Sequence, residues 1–138
     1  SIETLSAMAA YGKTKNVKVT METRGPSTAL RAGGAGTAPV PAEPAWVLLN
    51  DIARSAGAYI NIDLGGIGAA SQDDLHTALK ALLPNSSGSM HVRTSMNWDL
   101  ATAIRFIEGQ GYAGLYSIEA PGHERTRAIY NTILEALL

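Results

Sequence analysis

Four short runs of alternating side chains, each reaching a residue that can bind a metal, limit what this chain can fold into. They are Val17-Lys-Val-Thr-Met-Glu22, Ala58-Tyr-Ile-Asn-Ile-Asp63, Ser89-Met-His-Val92 and Leu115-Tyr-Ser-Ile-Glu119. On a strand, residues two apart share a face. One parity reads Val17, Val19 and Met21; Ile60, Ile62 and Leu64; Met90 and Val92; Tyr116 and Ile118. The other carries Thr20 and Glu22, Asn61 and Asp63, Ser89 and His91, Ser117 and Glu119. The apolar parity needs a helical cover, and the polar parity therefore faces away from it. A doubly wound sheet, covered on both faces, would be apolar on both parities.

The intervening segments read as helices. Ile2, Leu5, Met8 and Ala9 fall at helical spacing, with Gly12 placed to stop that helix. Pro44 suits the first turn of the next, whose inward stripe is Val47, Leu48, Ile52 and Ala53, ending near Gly57. Ser71 is an N-cap, with Asp73 and Asp74 favouring the helix dipole, and the stripe is Leu75, Ala78, Leu79 and Leu82 up to Pro84. Asn85 to Gly88 reads as a turn. Asn97 is placed to cap a helix with the stripe Leu100, Ala103, Ile104 and Ile107, which Gly109 and Gly111 end. The last helix runs from about Glu124 and buries Ile129, Ile133, Leu134 and Leu137. His76 is expected on a helix surface. Strands alternating with helices imply a parallel sheet with right-handed crossovers.

Residues 25–44 differ in kind. These 20 residues hold four Gly, four Pro and five Ala, without hydrophobic periodicity. A loop that long is a flap over the site, directly after Glu22, or an insertion without a role. The remainder reads as one partial-barrel domain over 1–138: four parallel βα units preceded by one helix. That is the C-terminal half of a TIM (β/α)8 barrel, with the leading helix the one before the fifth strand.

Composition narrows the partners. Eleven basic against twelve acidic side chains give a net charge of −1, and no basic cluster marks a nucleic-acid surface. No apolar run reaches the length of a membrane span. Without cysteine, neither disulfides nor thiolate metal sites form. A cytoplasmic location is expected. The chain opens Ser-Ile-Glu within a helical pattern and without methionine, so the natural N-terminus is expected upstream.

Three carboxylates and one imidazole at strand ends make a hard, mixed oxygen and nitrogen site. It suits Mn²⁺, Mg²⁺ or Co²⁺ and accommodates Zn²⁺. His123, Arg125 and Arg127 open the last helix, where barrels often bind phosphate, or they form a solvated helix face. Trp98 either lines a sugar pocket or staples its helix.

The motifs Val-Thr-Met-Glu22, Asn-Ile-Asp63-Leu-Gly, Met-His91-Val-Arg and Gly-Tyr-Ala-Gly-Leu-Tyr-Ser-Ile-Glu119 occur in this order across the whole chain. In this the chain resembles the C-terminal half of the sugar phosphate isomerase/epimerase family, the xylose isomerase-like TIM barrels. The resemblance implies a divalent metal held by Glu22, Asp63, His91 and Glu119. It also implies that Glu22 and Glu119 exchange a proton beside a carbonyl through an enediolate. Gly66 stands where members often have His, and Arg93-Thr94 where they often have Lys-Asp or Gly-Glu, positions that commonly contact substrate or a second metal. The expected ligand is a small sugar or sugar phosphate, with self-association or pairing with the missing N-terminal half. Related dehydratases, abasic-site endonucleases and a non-catalytic barrel remnant are the alternatives. The endonucleases need a richer His/Asp cluster and a basic face, which this sequence lacks.

Overall fold

The computed structural model describes residues 1–24 and 44–138; the flap expected over 25–44 lies, apart from Pro44, outside them. The elements in chain order are α1 (Ile2–Thr14), β1 (Thr20–Glu22), α2 (Ala45–Ala56), β2 (Tyr59–Asp63), α3 (Gln72–Leu82), β3 (Ser86–Val92), α4 (Leu100–Gly109), β4 (Leu115–Ile118) and α5 (His123–Leu137). The strands form one parallel sheet in the order β1-β2-β3-β4. Each helix packs against the next, α1 on α2 through to α4 on α5. Helices alternating between the two faces of a sheet would not meet in this way. The result is an α/β chain with one helical layer, compatible with half of a βα barrel.

Burial follows the two parities. Ile60, Ile62, Met90 and Val92 are fully buried on the helix side, with Leu75, Leu79, Leu82, Ile104 and Ile107 against them. On the other face Thr20, Ser117 and Glu119 are exposed, and Asn61, Ser89 and His91 are half-buried. Truncating a core residue such as Leu79 to Ala would cost about 2–5 kcal/mol.

Several boundaries depart from the sequence reading. β1 keeps only its last three residues, because Val17 is 57 % exposed and the sheet begins where β2 offers a partner, at Thr20 opposite Tyr59. β3 starts at Ser86 rather than Ser89. A 3-10 turn over Leu83–Asn85 replaces the expected turn, and the extra residues join β2 with a register shift between Ile60 and Ile62. Ser1 caps α1 by accepting from the Thr4 N–H. Asp99, not Asn97, caps α4, its carboxylate accepting from the Thr102 N–H at 2.8 Å. In α2 the inward stripe is rotated, with Leu48 exposed and Trp46 and Leu49 against the core. Leu134 and Leu137 of α5 are exposed too. His76 is half-buried, stacked on Phe106 at 4.0 Å between ring centroids and bonded to Gln72.

Candidate metal centre

The polar face brings the C-terminal ends of its strands together. Register pairs Asp63 with His91, and His91 with Ser117, while Glu22 lies level with Asn61. Glu22 thus starts one step below the Asp63–His91 level and Glu119 one step above it. Ligand atoms of Glu22, Asp63 and His91 nevertheless lie within 4.8 Å of one another. Adjacent strands are about 4.8 Å apart, so a flat sheet would hold β1 about 10 Å from β3. The side chains of Glu22 and His91 reach across β2 to meet.

Each member is held differently. Asp63 is almost buried, and its Oδ1 accepts from the Gly65 and Gly66 N–H groups at 3.0 and 3.2 Å. Its backbone is fixed by Thr23, whose hydroxyl accepts from the Asp63 N–H and donates to the Asp63 carbonyl, both at 2.8 Å. The turn also needs Gly66, because a Cβ there would sit 1.9 Å from the Thr23 carbonyl oxygen. A histidine at this position, as the resemblance suggested, would have no room on this backbone.

His91 carries an unmet demand. Its Nδ1 is buried without a hydrogen-bond partner, 3.6 Å from Glu22 Oε1 and 3.6 Å from Glu119 Oε2. Those separations exceed a hydrogen bond. A metal ion bonded to both sides at about 2.1 Å would fill such a gap. On the far side of the ring, Nε2 lies 3.4 Å from the Asn61 amide nitrogen, and Asn61 Oδ1 has no partner. Turning that amide over lets Nε2–H donate to Oδ1. In the neutral tautomer that carries its proton on Nε2, Nδ1 offers the lone pair that ligates metals. The donor set therefore fits a divalent cation: two carboxylates and one imidazole, with ligand atoms within 4.8 Å of one another and Nδ1 without a partner.

Glu119 stands apart from this set. Its Oε2 takes the Arg93 guanidinium, whose Nε lies 3.0 Å from Asp63 Oδ2. Arg93 thus bridges two of the three acids. Trp98 is 7 % exposed and belongs to the apolar core. His123 and Arg125 are exposed on the first turn of α5, whose N-cap Gly122 makes no side-chain capping bond. Thr23 and Asn61 escaped the sequence reading as parts of the site. Asn61 had a signal, since it shares its parity with Asp63; Thr23 had none.

No helix among the described residues is long and apolar enough to cross a membrane. No protein-family model, curated protein or solved structure matches the chain.

Proposed function

We propose that this chain is half of a (βα)8 barrel and contributes the metal site of a sugar isomerase or epimerase. One observation carries the reading: ligand atoms of Glu22, Asp63 and His91, from three strands, lie within 4.8 Å of one another on the polar face, and His91 Nδ1 is buried without a partner. Glu22, Asp63 and His91 would hold the ion. When bound, Mn²⁺, Mg²⁺ or Co²⁺ supplies Lewis acidity toward a carbonyl and the oxygen beside it.

The chain's own groups account for the proton traffic. Glu22 and Glu119 come from opposite edges of the sheet, and both present a carboxylate oxygen to His91 Nδ1. One takes the proton from the carbon next to the carbonyl and the other returns one to the resulting enediolate. Each such group typically contributes on the order of 10²–10⁴ in rate. Arg93 holds Glu119 at its post.

The reaction is tested in the assembled barrel, whether a second copy or a longer chain supplies the other four βα units. A panel of keto-sugars and their phosphates in D₂O should take up deuterium beside the carbonyl only when Mn²⁺ is present. Glu22→Gln and Glu119→Gln should each reduce that uptake sharply. Uptake unchanged in both variants, or absent with every substrate, rejects the isomerase reading.

One feature favours a second reading, a barrel remnant without turnover. Arg93 already supplies a cation to Asp63 and Glu119, so the acids have a counter-charge without a metal. A remnant of this kind would bind Mn²⁺ no better than its His91→Ala variant.

A further inference from the structure

We infer that Arg93 withholds Glu119 from the metal, leaving a three-ligand centre and a free carboxylate beside it. The inference rests on the metal site proposed above and divides its four acidic and imidazole side chains into two working groups.

Arg93 is built into its position. It stands two residues beyond His91, just past the end of β3. Its stem crosses Gly65, where a Cβ would meet Arg93 Cδ at 3.0 Å. From there Nε reaches Asp63 Oδ2, while Nη2 reaches Glu119 Oε2. Gly65 and Gly66 already fill both lone pairs of Asp63 Oδ1, so Oδ2 is the oxygen open to guanidinium and metal. A guanidinium is a planar fork that cannot lose its charge, and it grips carboxylates through parallel or adjacent N–H groups.

Geometry gives the grip its consequence. Glu119 begins one register step above His91, just past the end of edge strand β4, and its side chain is 48 % exposed. Its Oε2 still comes as near to His91 Nδ1 as Glu22 Oε1 does, 3.6 Å in each case. Glu119 nevertheless falls outside the group whose ligand atoms all lie within 4.8 Å of one another, and the grip of Arg93 on its Oε2 is what holds it there. Outside the ligand set, Glu119 keeps its carboxylate beside the metal rather than on it. Withholding Glu119 also leaves the metal open on that side for two neighbouring oxygens of a substrate.

The test is a double-mutant cycle on Mn²⁺ affinity, read by electron paramagnetic resonance of free Mn²⁺. Arg93→Met keeps the length of the stem, and Arg93 and Glu119 are exposed enough that the fold, checked by circular dichroism, should survive. Glu119→Gln should bind Mn²⁺ within about threefold of the parent, as expected of a residue outside the ligand set. Arg93→Met should bind roughly tenfold tighter, the scale on which groups around a metal tune affinity. In the double variant that gain should vanish, because it requires the freed Glu119 carboxylate. Water-proton relaxation by bound Mn²⁺ should fall in Arg93→Met as Glu119 displaces a coordinated water.

A loss of affinity in Glu119→Gln as large as that in His91→Ala would make Glu119 a ligand and overturn the inference. A gain in Arg93→Met that persists in the double variant would also overturn it, since Arg93 would then act by charge alone. Absence of Mn²⁺ binding from every variant would reject the metal site itself. Binding by the parent without a gain in Arg93→Met would reject only the role of Arg93.

Discussion

Thr23 is 1 % exposed, and its hydroxyl closes two hydrogen bonds onto the backbone of Asp63, tying β1 to the end of β2. Valine has the same shape without the hydroxyl. Thr23→Val should therefore strand a buried N–H and a buried carbonyl and cost about 1–3 kcal/mol. Thr23→Ser should recover most of that. Urea titration measures both, and a Val variant within about 0.5 kcal/mol of the parent would show that water satisfies the two groups instead. Mn²⁺ affinity should follow stability, because Asp63 shifts when its anchor goes. The contrast between Thr23 and its neighbour Glu22 marks how far the sequence can be read. Glu22, Asp63 and His91 declare themselves by sharing the polar parity at strand ends. The parts of Thr23, Gly66 and Arg93 depend on how the segments after β1, β2 and β3 fold over one another, and alternation carries no information about that.

The helices divide by how sharply their apolar residues are spaced. In α3 and α4 the stripes Leu75, Ala78, Leu79, Leu82 and Leu100, Ala103, Ile104, Ile107 are buried as their periodicity requires. In α2 three consecutive apolar residues, Val47, Leu48 and Leu49, leave the phase of the helix open, and packing turns Leu48 outward. β3 was harder to read at its start, because Ser86-Ser-Gly-Ser has none of the branched side chains that mark a strand. The α4 cap offers a test at this scale. Two bonds from Thr102, side chain first and then backbone, hold the Asp99 carboxyl below its usual range. A depressed acid adds stability above its unfolded pKa and loses it as pH falls through the folded one. Asp99→Ala should therefore cost about 1 kcal/mol at neutral pH. The difference from the parent should shrink below about pH 4, where the unfolded carboxyl is protonated. Because Asp99 is well exposed, salt should weaken the effect. A penalty unchanged down to pH 2 would mean that packing, not the charge, carries the cap.

Across the whole molecule, the outer edges of β1 and β4 have no strand partner among the described residues. The polar face between them carries Leu115, 74 % exposed. Unpaired parallel edges template further pairing, and the sequential strand order is compatible with half of a βα barrel. Sedimentation velocity should find two copies associated, or the chain paired with a complementary half. A monodisperse, stably folded monomer at micromolar concentration would refute this. The two sheet faces also divide the labour of the protein. The apolar core lies on the helix side, and the site's acids lie on the other, their exposure rising from Asp63 at 5 % through Glu22 at 30 % to Glu119 at 48 %. Occupancy of the proposed site and folding would therefore be separable equilibria. EDTA should strip the ion without changing the far-ultraviolet circular dichroism, and Tm should fall only as far as mass action on the native state requires. A zinc finger dissolves when its metal leaves; here the cation would come and go as an exchangeable reagent on a scaffold that stands without it.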